Sequence, residues 1–95
     1  MRIIKETGAF KRDRKHAEKS NVSFIIKQRF MPALKSLAND EALDYSYRDH
    51  ALTGNWKGSR ECHLAFDLVL IYRYDDVNNV LWLERLGSHS EALGL

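Results

Sequence analysis

The sequence predicts an α+β fold: two N-terminal helices packed on one face of a small antiparallel sheet of about four strands. Three observations carry that expectation. Apolar residues recur at helical spacing from Val22 to Leu37, and from Ser59 onward the period becomes that of strands. Between two of those strands, Asp75-Asp76-Val77-Asn78-Asn79 is a run of turn formers that marks a hairpin. Consecutive antiparallel strands after a pair of helices give an α+β arrangement and not a doubly wound one.

The elements follow in order. Arg2-Ile3-Ile4-Lys5 is a short apolar core between charges and reads as a first strand. Thr7 can cap a helix running from about Gly8 to Lys19. Only Ala9, Phe10 and Ala17 offer that helix a buried stripe, so it is expected to be mostly wet. Its cations Lys11, Arg12, Arg14, Lys15 and Lys19 cannot all point one way and form a diffuse positive field. Ser20-Asn21 breaks and recaps the chain. Val22, Ile25, Ile26, Phe30, Ala33, Leu34 and Leu37 then define an amphipathic second helix whose stripe packs against the sheet. Pro32 lies inside that pattern, lacks a backbone donor, and predicts a kink or a new segment. Asn39-Asp40-Glu41 ends the helix, and Ala42 to Tyr47 is a connecting loop with two exposed tyrosines, Tyr45 and Tyr47. The strands are Ser59 to Leu64, Leu68 to Tyr74 and Val80 to Leu86. The middle one is apolar on both faces, as expected of a central strand covered by helices on one side. Trp82 reads as packing. Gly87-Ser88-His89-Ser90-Glu91 leaves the sheet into a short tail ending at Leu95.

Ninety-five residues make one domain, 1–95, with one modest core. No signal peptide is expected, and the sequence has no run of the ~18 consecutive apolar residues that a membrane span needs. A single cysteine, Cys62, excludes an intramolecular disulfide, fits a reducing cytoplasm, and reads as a small apolar filler. Net charge is +2 but uneven. Residues 1–37 carry ten Lys/Arg against Glu6, Asp13 and Glu18, which is +7; residues 38–95 carry five against ten, which is −5. A basic half suits nucleic acid or an acidic protein, although a solvated helix face gives the same count.

The stretch from Tyr47 to His63 holds the least core-like mixture. Gly54 and Gly58 bracket Asn55-Trp56-Lys57 in a sharp turn, and Trp, Lys and Arg between two histidines suit an anionic, base-bearing ligand. His50, His63 and His89 come from a loop, a strand and the exit of the last strand, while Asp67 begins the middle strand. Antiparallel strands can bring such positions to one end or face of the sheet. Imidazole titrates near neutrality, so one ring can accept a proton while another donates one. RNA cleavage by the neighbouring 2′-hydroxyl needs that base, that acid, and cations around the phosphorane charge, a part open to Lys57, Arg60 and Arg85. A zinc or non-haem iron site is the weaker alternative, because His50 and His63 are not at recognised ligand spacing; no metal or other cofactor is expected. A non-enzymatic binder of the ribosome or of a protein inhibitor is a third.

The residues Tyr47-Arg48-Asp49-His50-Ala51-Leu52, Gly54, Trp56-Lys57-Gly58, Arg60, His63, Asp67, Leu70-Ile71-Tyr72-Arg73 and Glu84-Arg85-Leu86-Gly87-Ser88-His89 resemble the YafQ branch of the RelE-type ribonuclease toxins. The likeness is close over the second half of the chain and extends to the first half in layout. It implies a RelE-like fold, cleavage of messenger RNA in the ribosomal decoding site, and a toxin–antitoxin hetero-oligomer with a co-expressed, DinJ-like antitoxin. It also implies catalytic roles for His50, His63, Asp67 and His89, with His89 the proton donor. Arg85 matches a position that contacts the scissile phosphate. Two departures stand out: Leu68 and Leu93 occupy positions that are aromatic in relatives, where a ring can stack a base for ~1–3 kcal/mol. Leucine at 93 offers the substrate contact without stacking, and Trp56 or Trp82 could substitute. His16 matches nothing in the pattern and reads as a surface residue.

Overall fold

Strand β1 (Ile3–Glu6) opens the chain in a computed structural model that describes residues 1–94; Leu95, the last residue of the expected tail, lies outside the described residues. Thr7 follows in extended conformation, φ −71° and ψ 162°, and its side chain accepts from the Phe10 N–H at 3.0 Å. That cap starts α1 (Gly8–Glu18), which buries Phe10 and Ala17 and leaves its cations outside, as the sparse stripe requires. The same Thr7 hydroxyl donates to the Glu84 carbonyl at 2.8 Å, tying the start of α1 to the sheet.

The second helix is segmented, and Pro32 is the reason. A single turn α2 (Ser23–Ile25) passes into a π-helical turn (Ile26–Phe30) and then into α3 (Met31–Ala38), with Pro32 in the first turn of α3. In a continuous α-helix the proline ring would press on the carbonyl of Gln28 and leave it without its donor. The wider π turn spans that carbonyl, and the first turn of α3 needs no donor from Pro32.

The sheet has five strands in the order β1-β5-β4-β3-β2. Beyond the three long strands β3 (Arg60–Ala65), β4 (Leu68–Asp75) and β5 (Val80–Gly87), it gains β2 (His50–Ala51), too short for any alternation to betray it. β1 pairs with β5 in parallel and the other pairs are antiparallel, so the sheet is mixed at one edge. A parallel partner needs a long crossover, and the helices supply it.

β4 is covered on both faces. Leu68, Leu70 and Tyr72 face the main core with Phe10, Ile26, Phe30, Leu37, Leu81 and Leu83, while Val69 and Ile71 face a smaller cluster with Ala92, Leu52, Trp56 and Leu93. One of the two loop tyrosines departs from expectation. Tyr45 is exposed, but Tyr47 is buried, because its hydroxyl donates to the Arg29 carbonyl at 3.1 Å and the Arg29 guanidinium lies 3.8 Å over its ring. The expected tail is a short helix, α4 (His89–Leu93), begun by a capping box between Ser88 and Glu91 and ended by Gly94 at φ 76°.

Candidate active site

Alternation along β3 divides its side chains between two environments. Cys62 and Leu64 enter the helix-side core, so Glu61 and His63 project from the opposite face. Pairing sets them beside Ile71 and Val69 of β4. β2 adds His50 directly across from Glu61. The capping box of α4 makes His89 its first helical residue, and the His89 backbone N–H donates to Asp67 Oδ1 at 3.1 Å across the β3–β4 turn.

Three imidazoles thereby converge on one carboxylate oxygen. His89 Nε2 lies 2.9 Å from Glu61 Oε1, His63 Nε2 3.2 Å and His50 Nε2 3.6 Å. The His63 ring centre is 4.9 Å from that of His89 and 6.2 Å from that of His50. Glu61 is 1% exposed, and its Oε2 is buried without a hydrogen-bond partner among the described residues. An unsatisfied buried acceptor costs ~1–3 kcal/mol, and such groups concentrate where chemistry requires them.

The Arg48 carbonyl fixes one hydrogen of His50: it lies 2.7 Å from Nδ1 and can only accept, so Nδ1 holds the hydrogen. In the neutral form of that ring the electron pair is on Nε2, which makes the loosest of the three contacts to Glu61. Arg48 holds that carbonyl from a left-handed conformation, φ 52°, uncommon outside glycine. His89 likewise has an acceptor at each nitrogen: Glu61 Oε1 lies 2.9 Å from its Nε2 and Asp67 Oδ1 lies 3.4 Å from its Nδ1. Burial pushes the proton affinity of His63 below the usual imidazole range, an effect opposed by the charge of Glu61 and reinforced by His89 and Arg48. Asp67 is shifted below the usual carboxylate range, chiefly by the His89 backbone N–H. Cys62, on the core face of the same strand, is buried and its thiol is pushed up to about 12, which leaves it inert.

His50, His63, Asp67 and His89 thus come together, and the four cation or contact positions do not. Arg60 turns away to Asp49, with Nε and Nη2 at 3.4 and 3.3 Å, and Asp49 also accepts from the buried Tyr72 hydroxyl at 2.6 Å. Arg85 is forked onto Asp13 of α1 at 2.8 and 3.2 Å and lines a neighbouring groove with Asp67, Arg12 and His16. Lys57 is exposed in the turn after Trp56. Leu93 packs beside Trp56, whose indole N–H donates to the Leu93 carbonyl at 3.3 Å. Glu61, the hub of the cluster, escaped the sequence reading. Its signal was there: two residues before His63 on one strand, it shares that histidine's face.

The donor set also fits a metal ion. His50, Glu61 and His63 each offer a ligand atom, all within 4.8 Å of one another, and the imidazole–carboxylate mixture suits zinc or copper.

Comparison with known proteins gives the family. The family model described as the bacterial toxin YafQ of type II toxin–antitoxin systems matches residues 2–94. The chain belongs to the YafQ toxin family. A YafQ toxin of Haemophilus influenzae is 40% identical over 85 residues, 87% of this chain and 83% of the relative. The mRNA interferase toxin YafQ of Escherichia coli K12 is 34% identical over 94 residues, 99% of this chain and 98% of the relative. Among solved structures, a copper-bound mutant toxin of Helicobacter pylori superposes with a TM-score of 0.80 at 33% identity, covering 96% of this chain and 98% of that one. The E. coli DinJ–YafQ complex gives a TM-score of 0.77 at 31% identity, covering 96% and 97%. YafQ membership agrees with the expected RelE-like α+β fold, and no helix among the described residues is long and apolar enough to cross a membrane.

Proposed function

We propose that this YafQ-family toxin is a metal-independent endoribonuclease that cleaves messenger RNA on the ribosome. The convergence of His50, His63 and His89 on buried Glu61 is the observation that carries the reading. In this scheme His50 Nε2 takes the proton of the ribose 2′-hydroxyl. The O2′–P bond forms, the P–O5′ bond breaks, and His89 gives a proton to the departing O5′, leaving a cyclic phosphate and a 5′-hydroxyl. A proton on His89 Nδ1 is the one suited to transfer, since Asp67 is more than half exposed and its 3.4 Å contact is looser than the 2.9 Å hold of Glu61 on Nε2. His63, whose proton affinity is lowered by burial, orients Glu61 between the other two rings. Lys57 carries no ion pair among the described residues and is free to meet the phosphate. By analogy with the DinJ–YafQ complex, a co-encoded antitoxin with an acidic segment is the inhibitory partner, suited to the +7 N-terminal part of a cytoplasmic protein.

A second reading has its own observation. The copper-bound H. pylori neighbour and the His50–Glu61–His63 donor set point to a transition-metal ion held at this site. Such an ion would take up the electron pair of His50 Nε2, so it is expected to inhibit and not to activate. One experiment addresses both. Translating ribosomes carrying a defined message, incubated with the protein in excess chelator, are expected to yield new 5′-hydroxyl ends within the decoding site, and copper(II) is expected to suppress them. Intact message under chelation, with cleavage restored by metal, would reverse the assignment. Intact message under every condition would leave a non-enzymatic binder.

A further inference from the structure

We propose that the groove on the far side of His63 is a nucleotide subsite in which Phe66 stacks an unpaired RNA base and Arg48 and Arg29 hold the adjoining phosphate. The proposal rests on the ribonuclease reading above and names how its substrate is seated.

Phe66 is 99% exposed at the tip of the β3–β4 turn, one residue before Asp67. A turn of that kind calls for small or polar residues, and a bare phenyl ring there has no folding role. The two positions expected to be aromatic in relatives cannot take its place. Leu68 is 7% exposed and packed in the helix-side core, and Leu93 is occupied against Trp56. The ring therefore lies two residues earlier in this chain, outside the sheet and beside the histidines.

The groove it borders, about 350 Å³, is lined by Phe66, His63, Ser46, Arg29 and Arg48 and by no acidic side chain. Both arginines lack a carboxylate partner among the described residues, as does Arg12 on α1, whereas Arg2, Arg14, Arg60, Arg73 and Arg85 are each paired. Arg29 is held in place without being neutralised: its Nε donates to the Leu64 carbonyl at 3.2 Å and its guanidinium lies 3.8 Å over the Tyr47 ring. Two guanidiniums without carboxylate partners, an exposed aromatic face and the His63 imidazole on one groove are the parts of a single-strand site, where stacking tolerates any base and the cations track the backbone. His63 lines the groove and contacts Glu61, so a strand seated there continues into the histidine cluster.

The test compares cleavage of ribosome-bound message by the parent protein, Phe66→Ala, Phe66→Trp, Arg48→Gln and a control, Phe24→Ala, which removes an exposed ring on α2 outside the site. Loss of one stacked base predicts a KM raised roughly 5- to 150-fold in Phe66→Ala, with kcat near the parent value. Phe66→Trp restores KM, Arg48→Gln raises it, and Phe24→Ala leaves it unchanged. An unchanged KM in Phe66→Ala overturns the subsite while the ribonuclease reading stands. If the parent cleaves no message, that reading falls and the subsite is decided by affinity for a labelled single-stranded oligoribonucleotide. Equal affinity of parent and Phe66→Ala then overturns it.

Discussion

The two faces of β4 are built to opposite ends. On the helix side, Leu68, Leu70 and Tyr72 meet Phe10, Phe30, Leu37, Leu81 and Leu83 in a continuous apolar layer whose few polar atoms have partners, as when the Tyr74 hydroxyl donates to the Leu37 carbonyl at 3.0 Å. On the other side, Val69 and Ile71 are covered by Ala92, Leu52, Trp56 and Leu93, and the apolar layer then gives way to Glu61 and the three histidines. That second face tolerates an unpaired buried oxygen and a left-handed Arg48. The first face supplies the surplus stability that makes those costs bearable. Stability and chemistry are separated by the thickness of one strand.

The separation predicts a double dissociation. His89→Gln keeps a polar side chain at a partly exposed position but cannot donate a proton to the leaving oxygen. General acid catalysis is typically worth ~10²–10⁴-fold, so single-turnover cleavage should fall by that order while the urea midpoint stays put. Parent-rate cleavage would remove His89 as the acid. Leu70→Ala is the mirror experiment. Leu70 is fully buried on the helix side, and its truncation should cost ~2–5 kcal/mol of unfolding free energy. Cleavage per folded molecule, measured where the variant remains native, should match the parent. A lower rate per folded molecule would mean that the core face also sets the geometry of the cluster.

How much of this was legible in the sequence follows the same division. The helix-side layer announces itself through periodicity: Ile26, Phe30, Ala33 and Leu37 repeat at helical spacing, and β4 is an unbroken apolar run. The histidines were legible through the family pattern. Glu61 offers only its two-residue spacing from His63, which puts both on one face; a lone carboxylate in a strand has the same residue-level appearance whether it points to water or, as here, is 1% exposed. β2 was missed for want of length, since two residues cannot show a period of two. Arg60 and Arg85 were matched as cations near phosphate, yet Asp49 and Asp13 engage them. Residue type gives a charge but not its partner, and these partners lie 11 and 72 positions away. Phe66 illustrates the converse: in the sequence it is one more apolar residue beside a strand, and only its exposure makes it notable.

The smallest expected effect sharpens the comparison by pH. His63 lies across from Val69 in the strand register, at the boundary between the apolar and polar parts of its face, and burial lowers its proton affinity below the reference value of 6.5 despite the neighbouring Glu61. His89, Arg48 and His50 also face it, and each disfavours a further positive charge. Below the folded-state value both the native and the unfolded chain bind the proton, and above 6.5 neither does. Between those limits the unfolded chain binds more protons, so stability rises with pH across that window and is lost as pH falls through it. Asp67 acts in a separate range: its affinity is lowered from 3.8, so its contribution is present above that value and disappears in stronger acid. Urea midpoints of the parent should therefore begin to fall just below pH 6.5. In His63→Gln, which has no proton to bind at that position, the slope in the same window should flatten while the acid limb near Asp67's range remains. An identical slope in both proteins would show that His63 is solvated like an ordinary surface imidazole, and the boundary between the two kinds of surface would then lie deeper, at Glu61 itself.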